Sequence, residues 1–214
     1  MTTVVYIGFG IIGLGLLIAF GWRFASRRQS LPCPVWLGWL VELDNPFAKT
    51  NRADVIVQHL NLQAGMKVLD VGCGPGRLTI PIADKIGPQG EVVAIDIQPG
   101  MLRRAQEKAQ AAHLNNIQFL QIGVGTGQLE RNRYDRALLV TVLGEIPDQK
   151  TVLKEIFEAL KPGGLLSVTE LIFDPHFQRL SAVRELATAV GFNEQGCFGN
   201  RFSFTLNLAK PNGA

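Results

Sequence analysis

The stretch Lys67–Gly76, which reads KVLDVGCGPG, constrains the fold of this chain more than any other. Val68, Leu69 and Val71 surround an acid, and this pattern is typical of a strand. Glycine then stands at every second position, which predicts a tight turn that opens directly into a helix. Because glycine has no Cβ and can take positive φ, the backbone of such a turn can approach a bound molecule closely, with its N–H groups pointing outward. The stretch therefore predicts a turn that binds a ligand.

The residues around the turn limit which ligand it can take. A nucleoside-triphosphate loop ends in Gly-Lys-Ser/Thr, whereas Gly76 is followed here by Arg77-Leu78-Thr79. A dinucleotide-binding turn reads G-x-G-x-x-G, whereas this turn reads Asp70-x-Gly72-x-Gly74-x-Gly76. A carboxylate just before the first glycine would repel a pyrophosphate and attract a cation. We therefore expect a ligand that carries positive charge near the turn.

This motif closely resembles the first motif of the class I S-adenosylmethionine (SAM)-dependent methyltransferases, D/E-x-G-x-G-x-G. The resemblance implies that SAM is the cofactor and that Asp70 lies near the methionine ammonium. It also implies that the amides of the turn, at Gly72, Cys73, Gly74 and Gly76, meet the cofactor. We interpret Cys73 as a small residue of the turn and not as a nucleophile. The alternative is a tight turn that binds nothing.

Alternating strand and helix patterns continue from Arg52 to the end of the chain and predict a doubly wound α/β domain. The resemblance to class I methyltransferases spans about residues 50–210 and implies a Rossmann-like seven-stranded sheet with helices on both faces and a closing hairpin. The predicted helices are 53–60, 76–86, 99–112, 147–160 and 177–190, and the predicted strands are 67–72, 91–97, 117–122, 134–146, 164–173, 193–198 and 202–209.

Asp96 is the second predicted cofactor residue. It closes the second strand, and the switch point of such a sheet brings this strand end beside the glycine turn. Its carboxylate can accept hydrogen bonds from both ribose hydroxyls, and Ile97 and Met101 can flank the adenine ring. The alternative is that Asp96 only caps the helix that begins near Pro99.

The end of the third strand departs from the family pattern. Many relatives carry an acid there that binds the adenine amino group, whereas this chain reads Gln121-Ile-Gly123-Val124-Gly. We expect backbone groups near Gly123 and Val124 to take the place of the missing carboxylate.

Direct methyl transfer needs little covalent help from the protein, because a sulfonium is already a good methyl donor. The acceptor must be held near the methyl group, water must be excluded, and a base is needed only if the acceptor carries a proton. Glu145 is the first candidate for that base, or for stabilising a cationic amine, followed by Glu170 and then His176. The alternative for the two glutamates is that they are ordinary polar residues at the rim of a pocket.

Thr2–Trp22 contains no charged residue, and at helical rise it is long enough to cross about 30 Å of hydrocarbon. Arg23, Arg27 and Arg28 follow this run and none precedes it, which predicts an uncleaved single-pass membrane anchor with the N-terminus outside and the larger part of the chain cytoplasmic. The alternative is a buried or membrane-surface helix. Gly15-x-x-x-Ala19 is a weak signal for a homo-oligomer formed through this helix.

Residues 31–50 place Trp36 and Trp39 just after the arginines, which suits either an amphipathic segment at the headgroup layer or a lid on the domain. We therefore divide the chain into 1–30 (transmembrane anchor and basic flank), 31–50 (interfacial segment or lid) and 51–214 (SAM-dependent methyltransferase domain).

Composition narrows the partners. The net charge of +3 gives no reason to expect nucleic acid, and the three cysteines have neither disulfide nor zinc spacing, so we expect no metal. An anchored enzyme samples a layer beside the bilayer, which favours a lipophilic acceptor: a phospholipid headgroup amine or an isoprenoid quinone. The alternatives are methylation of small hydrophobic thiols or other small molecules, and a membrane-anchored SAM-binding module without catalysis.

Overall fold

A computed structural model describes residues 51–213, together with Gly13, Gly21 and Val35. The predicted anchor and the segment 31–50 therefore lie outside the described residues, apart from those three positions. Among the helices that the structure describes, none is long and apolar enough to cross a membrane.

The described domain alternates helices and strands. The helices are α1 (Ala53–His59), α2 (Thr79–Ile86), α3 (Pro99–Ala111), α4 (Gln149–Ala159) and α5 (Leu180–Val190). The strands are β1 (Lys67–Val71), β2 (Glu91–Ile95), β3 (Ile117–Leu120), β4 (Tyr134–Val140), β5 (Leu160–Leu171), β6 (Asn193–Asn200) and β7 (Ser203–Ala209), and a short 3-10 helix covers Leu143–Glu145.

All seven strands form one sheet in the order β3-β2-β1-β4-β5-β7-β6. The first five strands in this order are parallel to one another, whereas β7 pairs antiparallel to β5 and to β6. The predicted seven-stranded α/β sheet with a closing hairpin is confirmed. The order reverses between β1 and β4, and the carboxyl ends of the parallel strands at this reversal are where ligands bind in open α/β sheets.

The sheet separates two hydrophobic cores because successive side chains of a strand point to opposite faces. Leu69 and Val71 of β1 belong to the core covered by α4 and α5, and Val68 belongs to the core covered by α1, α2 and α3. Each fully buried Leu, Ile or Val side chain contributes about 1.5–3 kcal/mol. Because both faces of β1 are covered, its side chains are buried from Val68 onward, and its position in the middle of the sheet fixes the glycine turn on a rigid support.

Several predicted boundaries need correction where the chain turns at the carboxyl edge. The fourth strand was predicted to reach residue 146, but β4 ends at Val140 because Thr141 takes a positive φ of 55°. Glu145 consequently stands in a 3-10 turn and not on a strand. The predicted helix 76–86 begins only at Thr79, because a turn occupies residues 76–78. The predicted helix 177–190 begins only at Leu180, and the backbone of residues 177–179 is irregular.

Candidate functional site

The glycine turn joins the end of β1 to neighbouring elements at close range. Gly72 has φ 68°, and a Cβ added there would lie 2.5 Å from Cγ2 of Val142, which follows β4. Gly76 has φ 82°, and a Cβ there would lie 3.0 Å from Cβ of Ala105 on α3. Gly74 has φ 53°, but no described atom lies within 4 Å of the Cβ position. The turn is thus packed at its two ends and open in its middle.

The amides of the turn have acceptors inside the protein. The N–H groups of Gly72 and Cys73 donate to the carbonyl of Ile95, at 2.8 and 3.0 Å, and Gly76 N–H donates to the carbonyl of Cys73 at 3.1 Å. Gly74 N–H donates to Oδ2 of Asp96 at 2.9 Å. The expectation that these N–H groups point outward is therefore wrong: those of Gly72, Cys73 and Gly74 tie the turn to the end of β2, and that of Gly76 closes the turn itself.

Asp70 is buried, and its Oδ2 accepts a 2.6 Å hydrogen bond from the hydroxyl of Thr79 at the start of α2. The pKa of Asp70 is raised to about 6: burial and the nearby Asp96 charge raise it, and the Thr79 bond and Arg77 lower it. The carboxylate therefore joins the strand to the helix that follows. A cation at the turn would lower this pKa, which is consistent with the positively charged ligand expected from the sequence.

Asp96 lies where the sequence predicts a ribose-binding acid, at the end of β2 and beside the turn. Its Oδ1 accepts from Gln98 N–H at 2.8 Å and its Oδ2 from Gly74 N–H. Burial raises the pKa of Asp96, and these backbone bonds lower it. Because a carboxylate oxygen has two lone pairs, each oxygen can accept a further hydrogen bond from a ligand. Asp96 also precedes α3, and its hydrogen bond from Gln98 N–H resembles the helix-capping contact that was the alternative interpretation.

The predicted adenine residues differ in exposure. Ile97 is 57% exposed, whereas Met101 is only 2% exposed and offers little surface to a ligand. A Cβ added at Gly123 would lie 3.7 Å from Cγ2 of Ile97, so the loops after β2 and β3 meet here. Val124 is partly buried and packs against the core under α4. Ile97, Gly123 and Val124 therefore lie at neighbouring strand ends, next to Asp96.

The side chain of Glu155, on α4, accepts hydrogen bonds from two amides of the loop after β3. The sequence did not predict this contact. Oε2 of Glu155 accepts from Gly125 N–H and its Oε1 from Leu129 N–H, the latter at 3.1 Å. The hydroxyl of Thr126 closes the same loop by donating to the carbonyl of Gly123 at 2.9 Å. A glutamate on a helix is an ordinary surface pattern in sequence, and only the tertiary structure brings it under the loop.

Cys73 is buried within the turn. Burial raises the pKa of its thiol, and the nearby carboxylates of Asp70 and Asp96 raise it further. A raised pKa favours the neutral thiol at physiological pH. Among the described residues, no three His, Cys, Asp or Glu side chains are arranged to hold a metal ion.

The predicted catalytic residues converge at the neighbouring strand ends. Nδ1 of His176 lies 3.9 Å from Oε1 of Glu145 and 3.9 Å from Oδ1 of Asp174, whose Oδ1 also accepts from His176 N–H at 2.7 Å. Glu170, at the end of β5, is 1% exposed, and its Oε2 accepts from Gln178 N–H at 3.0 Å. We call Glu145, Glu170, Asp174 and His176 the acid–histidine cluster.

Glu170 is the most perturbed acid of this cluster. Its pKa is raised to about 8: burial is the main cause, the Gln178 bond lowers the pKa, and the charges of Asp174 and Glu145 raise it. Its Oε1 is buried without a hydrogen-bond partner in the described part of the chain. A carboxyl group in this environment is protonated at neutral pH and can exchange a proton with a neighbour near pH 8.

Close backbone packing holds the cluster together. A Cβ added at Gly144 would overlap the carbonyl oxygen of His176, at 1.8 Å, so only glycine lets the turn after β4 meet the loop after β5. Thr141, at the same strand end, takes a positive φ that is rare for a β-branched residue and costs about 1–3 kcal/mol. Its N–H donates to the carbonyl of Thr169 at 2.8 Å, and its hydroxyl donates to the carbonyl of Val140 at 2.7 Å. These bonds hold the conformation.

Comparison with known proteins agrees with this geometry. Residues 62–198 match a family model described as a methyltransferase domain. The chain is 34% identical over 110 residues to a demethylmenaquinone methyltransferase of Geobacillus stearothermophilus, which covers 51% of this chain and 47% of the relative. It is 38% identical over 100 residues to a demethylmenaquinone methyltransferase of Lactococcus lactis, covering 47% of this chain and 40% of the relative. The chain thus spans less than half the length of these two relatives.

A solved structure of a SAM-dependent methyltransferase from Aquifex aeolicus superposes with a TM-score of 0.73. The match covers 84% of this chain and 100% of that one at 20% sequence identity, so this likeness concerns the fold.

Proposed function

Since this chain belongs to the methyltransferase-domain family, with the class I SAM-dependent fold, we propose that it transfers the methyl group of SAM to a lipophilic acceptor by direct in-line displacement. The observation that carries the proposal is the pairing of Asp96 with Gly74 across the open middle of the glycine turn. This pairing leaves a buried carboxylate facing space that a ligand can occupy.

The residues present fit SAM. Asp96 would hold the ribose hydroxyls, Ile97 and the loop at Gly123 and Val124 would contact the adenine, and Asp70 would favour the positive charge of the methionine part. When bound, SAM supplies a sulfonium methyl group that a nucleophile displaces directly. Because the turn amides are bonded within the protein, we expect the open side of Gly74, and not a row of unpaired amides, to accommodate the cofactor.

The acid–histidine cluster is the proposed acceptor half of the site. Positioning and exclusion of water would supply most of the acceleration. Glu170 would receive the proton that a hydroxyl or amine acceptor releases only in its ionised form, and because its pKa is raised to about 8, this form becomes more populated as the pH rises toward 8. Glu145 is more exposed than Glu170 and would face the acceptor, with His176 and Asp174 holding the loop in place.

An isoprenoid quinone, in its reduced form, is the acceptor we favour. Two similar proteins are named demethylmenaquinone methyltransferases, and the uncharged run Thr2–Trp22 would keep the domain beside the bilayer where such a molecule resides. The acidic residues of the cluster favour a second candidate, a phospholipid headgroup amine, because carboxylates stabilise a cationic nitrogen. Small hydrophobic thiols are a third candidate.

We place the protein in the membrane as a single-pass chain. The arginines that follow Thr2–Trp22 orient the N-terminus outside and residues 51–213 in the cytoplasm, where SAM is available. Gly15-x-x-x-Ala19 would be the contact in a homo-oligomer. Protease digestion of sealed inverted vesicles tests the orientation, since the described domain should be cleaved without detergent.

The test of function is methyl transfer from radiolabelled SAM by the full chain in lipid nanodiscs. Reduced demethylmenaquinone, phosphatidylethanolamine and a soluble hydrophobic thiol are offered separately, and the label is extracted from each. We expect label in the quinone. Label only in phosphatidylethanolamine or only in the thiol would select the second or third candidate, and SAM binding without any transfer would favour a non-catalytic module.

Asp96→Ala tests the cofactor half of the proposal. Loss of its hydrogen bonds should weaken SAM binding by about 1.5–3 kcal/mol, measured by calorimetry. The matched control is Asp84→Ala, an exposed aspartate on α2. Equal SAM affinity in the two variants would refute the role of Asp96.

A further inference from the structure

Two phenylalanines at one corner of the domain are exposed to solvent. Of the large apolar side chains in residues 51–213, those more than a third exposed are Ile97, Phe173, Phe198 and Phe202. Ile97 belongs to the cofactor site, and Phe198 stacks on His59 with ring centroids 3.7 Å apart. Phe173 is 68% exposed and Phe202 is 48% exposed. An exposed aromatic pair on a domain of this size indicates an interaction surface.

Strand pairing brings these two residues together. Phe173 follows the end of β5, and Phe202 precedes the start of β7. Ile172 N–H donates to the carbonyl of Phe202 at 2.7 Å, and Leu171 pairs with Ser203. The backbones at the two phenylalanines therefore lie side by side, although the residues are distant in sequence. We call Phe173 and Phe202 the aromatic corner.

The aromatic corner lies on the rim of the proposed acceptor half. Phe173 immediately precedes Asp174, and the loop continues through His176 of the acid–histidine cluster. The carboxyl end of β5 is on the same edge of the sheet as the glycine turn at the end of β1, because the two strands run parallel through β4. The aromatic corner is therefore one residue along the chain from Asp174 of the cluster.

The chain also enters the domain at this edge. Asn51 is held by Arg77 just after the glycine turn, with Nη1 of Arg77 donating to the Asn51 carbonyl at 2.7 Å. Val35 stands at the start of α3, where a Cβ added to Gly100 would lie 2.8 Å from its Cγ1. Asn51 and Val35 thus lie on the carboxyl edge of the sheet, which also carries the aromatic corner.

Two exposed arginines near the aromatic corner can meet an anionic surface, whereas the adjacent acid, Asp174, accepts the N–H of His176 within the loop. The guanidinium of Arg201 lies over the ring of Phe202, 4.6 Å from its centroid. Arg179, at the far end of the loop that begins after β5, is also exposed. Aromatic rings flanked by arginine are favoured at the headgroup level of a bilayer, where the ring is partly desolvated and the cation meets anionic lipid.

We propose that the aromatic corner inserts into the headgroup layer of an anionic bilayer, so that the carboxyl edge of the sheet faces the membrane and the acceptor enters beside Phe173 and Phe202. This inference deepens the proposed function, on which it rests. It gives the anchored domain an orientation, with the acid–histidine cluster directed toward the lipid.

The depth of the corner can be measured with spin labels. The full chain, with Cys33→Ser and Cys197→Ser, is reconstituted in nanodiscs containing phosphatidylglycerol and carries one nitroxide at Phe173→Cys, Phe202→Cys or Gln89→Cys. Gln89 is the control, because it is exposed and precedes β2 at the opposite edge of the sheet. Accessibility to oxygen, which partitions into lipid, is compared with accessibility to a water-soluble nickel chelate.

We expect labels at 173 and 202 to be accessible to oxygen and shielded from the nickel chelate, and the label at 89 to show the reverse. Nickel accessibility at 173 and 202 equal to that at 89 would overturn the proposal, as would shielding from both reagents, which indicates a protein partner. SAM binding and methyl transfer are measured on the same samples. Lipid contact without transfer would leave the docking standing and refute the proposed function, so the two can fail separately.

A functional readout accompanies the labels. In the Phe173→Ser/Phe202→Ser variant we expect KM for a bilayer-embedded acceptor to rise at least fivefold while SAM affinity stays unchanged. Phe198→Ser, an aromatic substitution on the same hairpin but stacked on His59, should leave that KM unchanged. Equal KM values in both variants would contradict the docking role.

Discussion

Alanine substitutions at Gly74 and at Gly65 can distinguish the effect of backbone strain from the effect of lost space for the cofactor. The φ of Gly74 is 53°, and Gly65, which precedes β1, has φ 80°; no described atom lies within 4 Å of the Cβ position at either glycine. Alanine at either site should cost about 1–2 kcal/mol, because L residues are strained at positive φ. Only Gly74→Ala places a methyl group in the proposed cofactor space, so only that variant should lose SAM affinity, by tenfold or more.

Thermal unfolding measures the stability lost to backbone strain, and calorimetry measures the loss of SAM affinity. Similar melting temperatures for Gly74→Ala and Gly65→Ala, with unequal SAM affinity, would support a cofactor contact at Gly74. Equal affinity in the two variants would mean that the middle of the turn does not face the cofactor.

Glu170 should make the protein less stable as the pH rises. Its pKa is raised from 4.5 to about 8, so between these values the folded state holds a proton that the unfolded state has lost. The stabilisation is complete below about pH 4.5 and is lost as the pH rises through about 8. Its size is on the order of 1–4 kcal/mol. Glu170→Gln should therefore flatten the fall in unfolding free energy between pH 5 and pH 8.

Urea unfolding at a series of pH values provides the measurement. Glu185→Gln, an exposed glutamate on α5, is the control and should retain the slope of the unsubstituted protein. Asp70 also has a raised pKa but is common to all three proteins, so its contribution cancels in the comparison. If Glu170→Gln left the slope of unfolding free energy against pH unchanged, a group other than Glu170 would be responsible for that slope.

At the scale of elements, α4 fixes the loop after β3 through one side chain. Glu155 accepts the N–H groups of Gly125 and Leu129. Glu155→Ala leaves both donors without an acceptor and should destabilise the protein by about 1–3 kcal/mol. Because the loop begins at Gly123, beside Ile97, SAM affinity should fall as well.

Glu158 is the matched control on the same helix. Its side chain pairs with exposed Arg131 at 3.1 Å, and such surface pairs contribute about 0–1 kcal/mol. Glu158→Ala should therefore change neither SAM affinity nor melting temperature appreciably. Chemical denaturation gives the free energy of unfolding of both variants, and calorimetry gives their SAM affinity. Equal losses in Glu155→Ala and Glu158→Ala would contradict the role of Glu155 in the loop.

At the scale of the whole molecule, cofactor binding and acceptor delivery should be separable. A chain without residues 1–30 keeps Val35 and Asn51, which contact α3 and Arg77. We expect its SAM affinity to stay within about twofold, a difference of less than 0.5 kcal/mol. Its KM for an acceptor embedded in vesicles should rise, because the anchor no longer raises the effective concentration. An unchanged KM would argue against the anchor.

The residue pattern alone determined the fold and the positions of the glycine turn and Asp96 at its carboxyl edge. The spacing of Gly72, Gly74 and Gly76 after an apolar strand requires a turn with positive φ, and alternation of strands and helices requires an α/β sheet. Asp96 was predictable because a strand end at the switch point has a fixed place beside that turn. These features follow from local geometry and chain order, which a sequence displays directly.

Only the tertiary structure decided the contacts between distant segments. Glu155 reaches the loop after β3, Gly144 meets His176, and Ile172 bonds to Phe202 although the two are far apart in sequence. The internal bonding of the turn amides depends on Ile95 and Asp96 of the neighbouring strand. Hydrogen bonds and packing of this kind arise when the sheet assembles, because burial and strand register, and not local periodicity, select the partners.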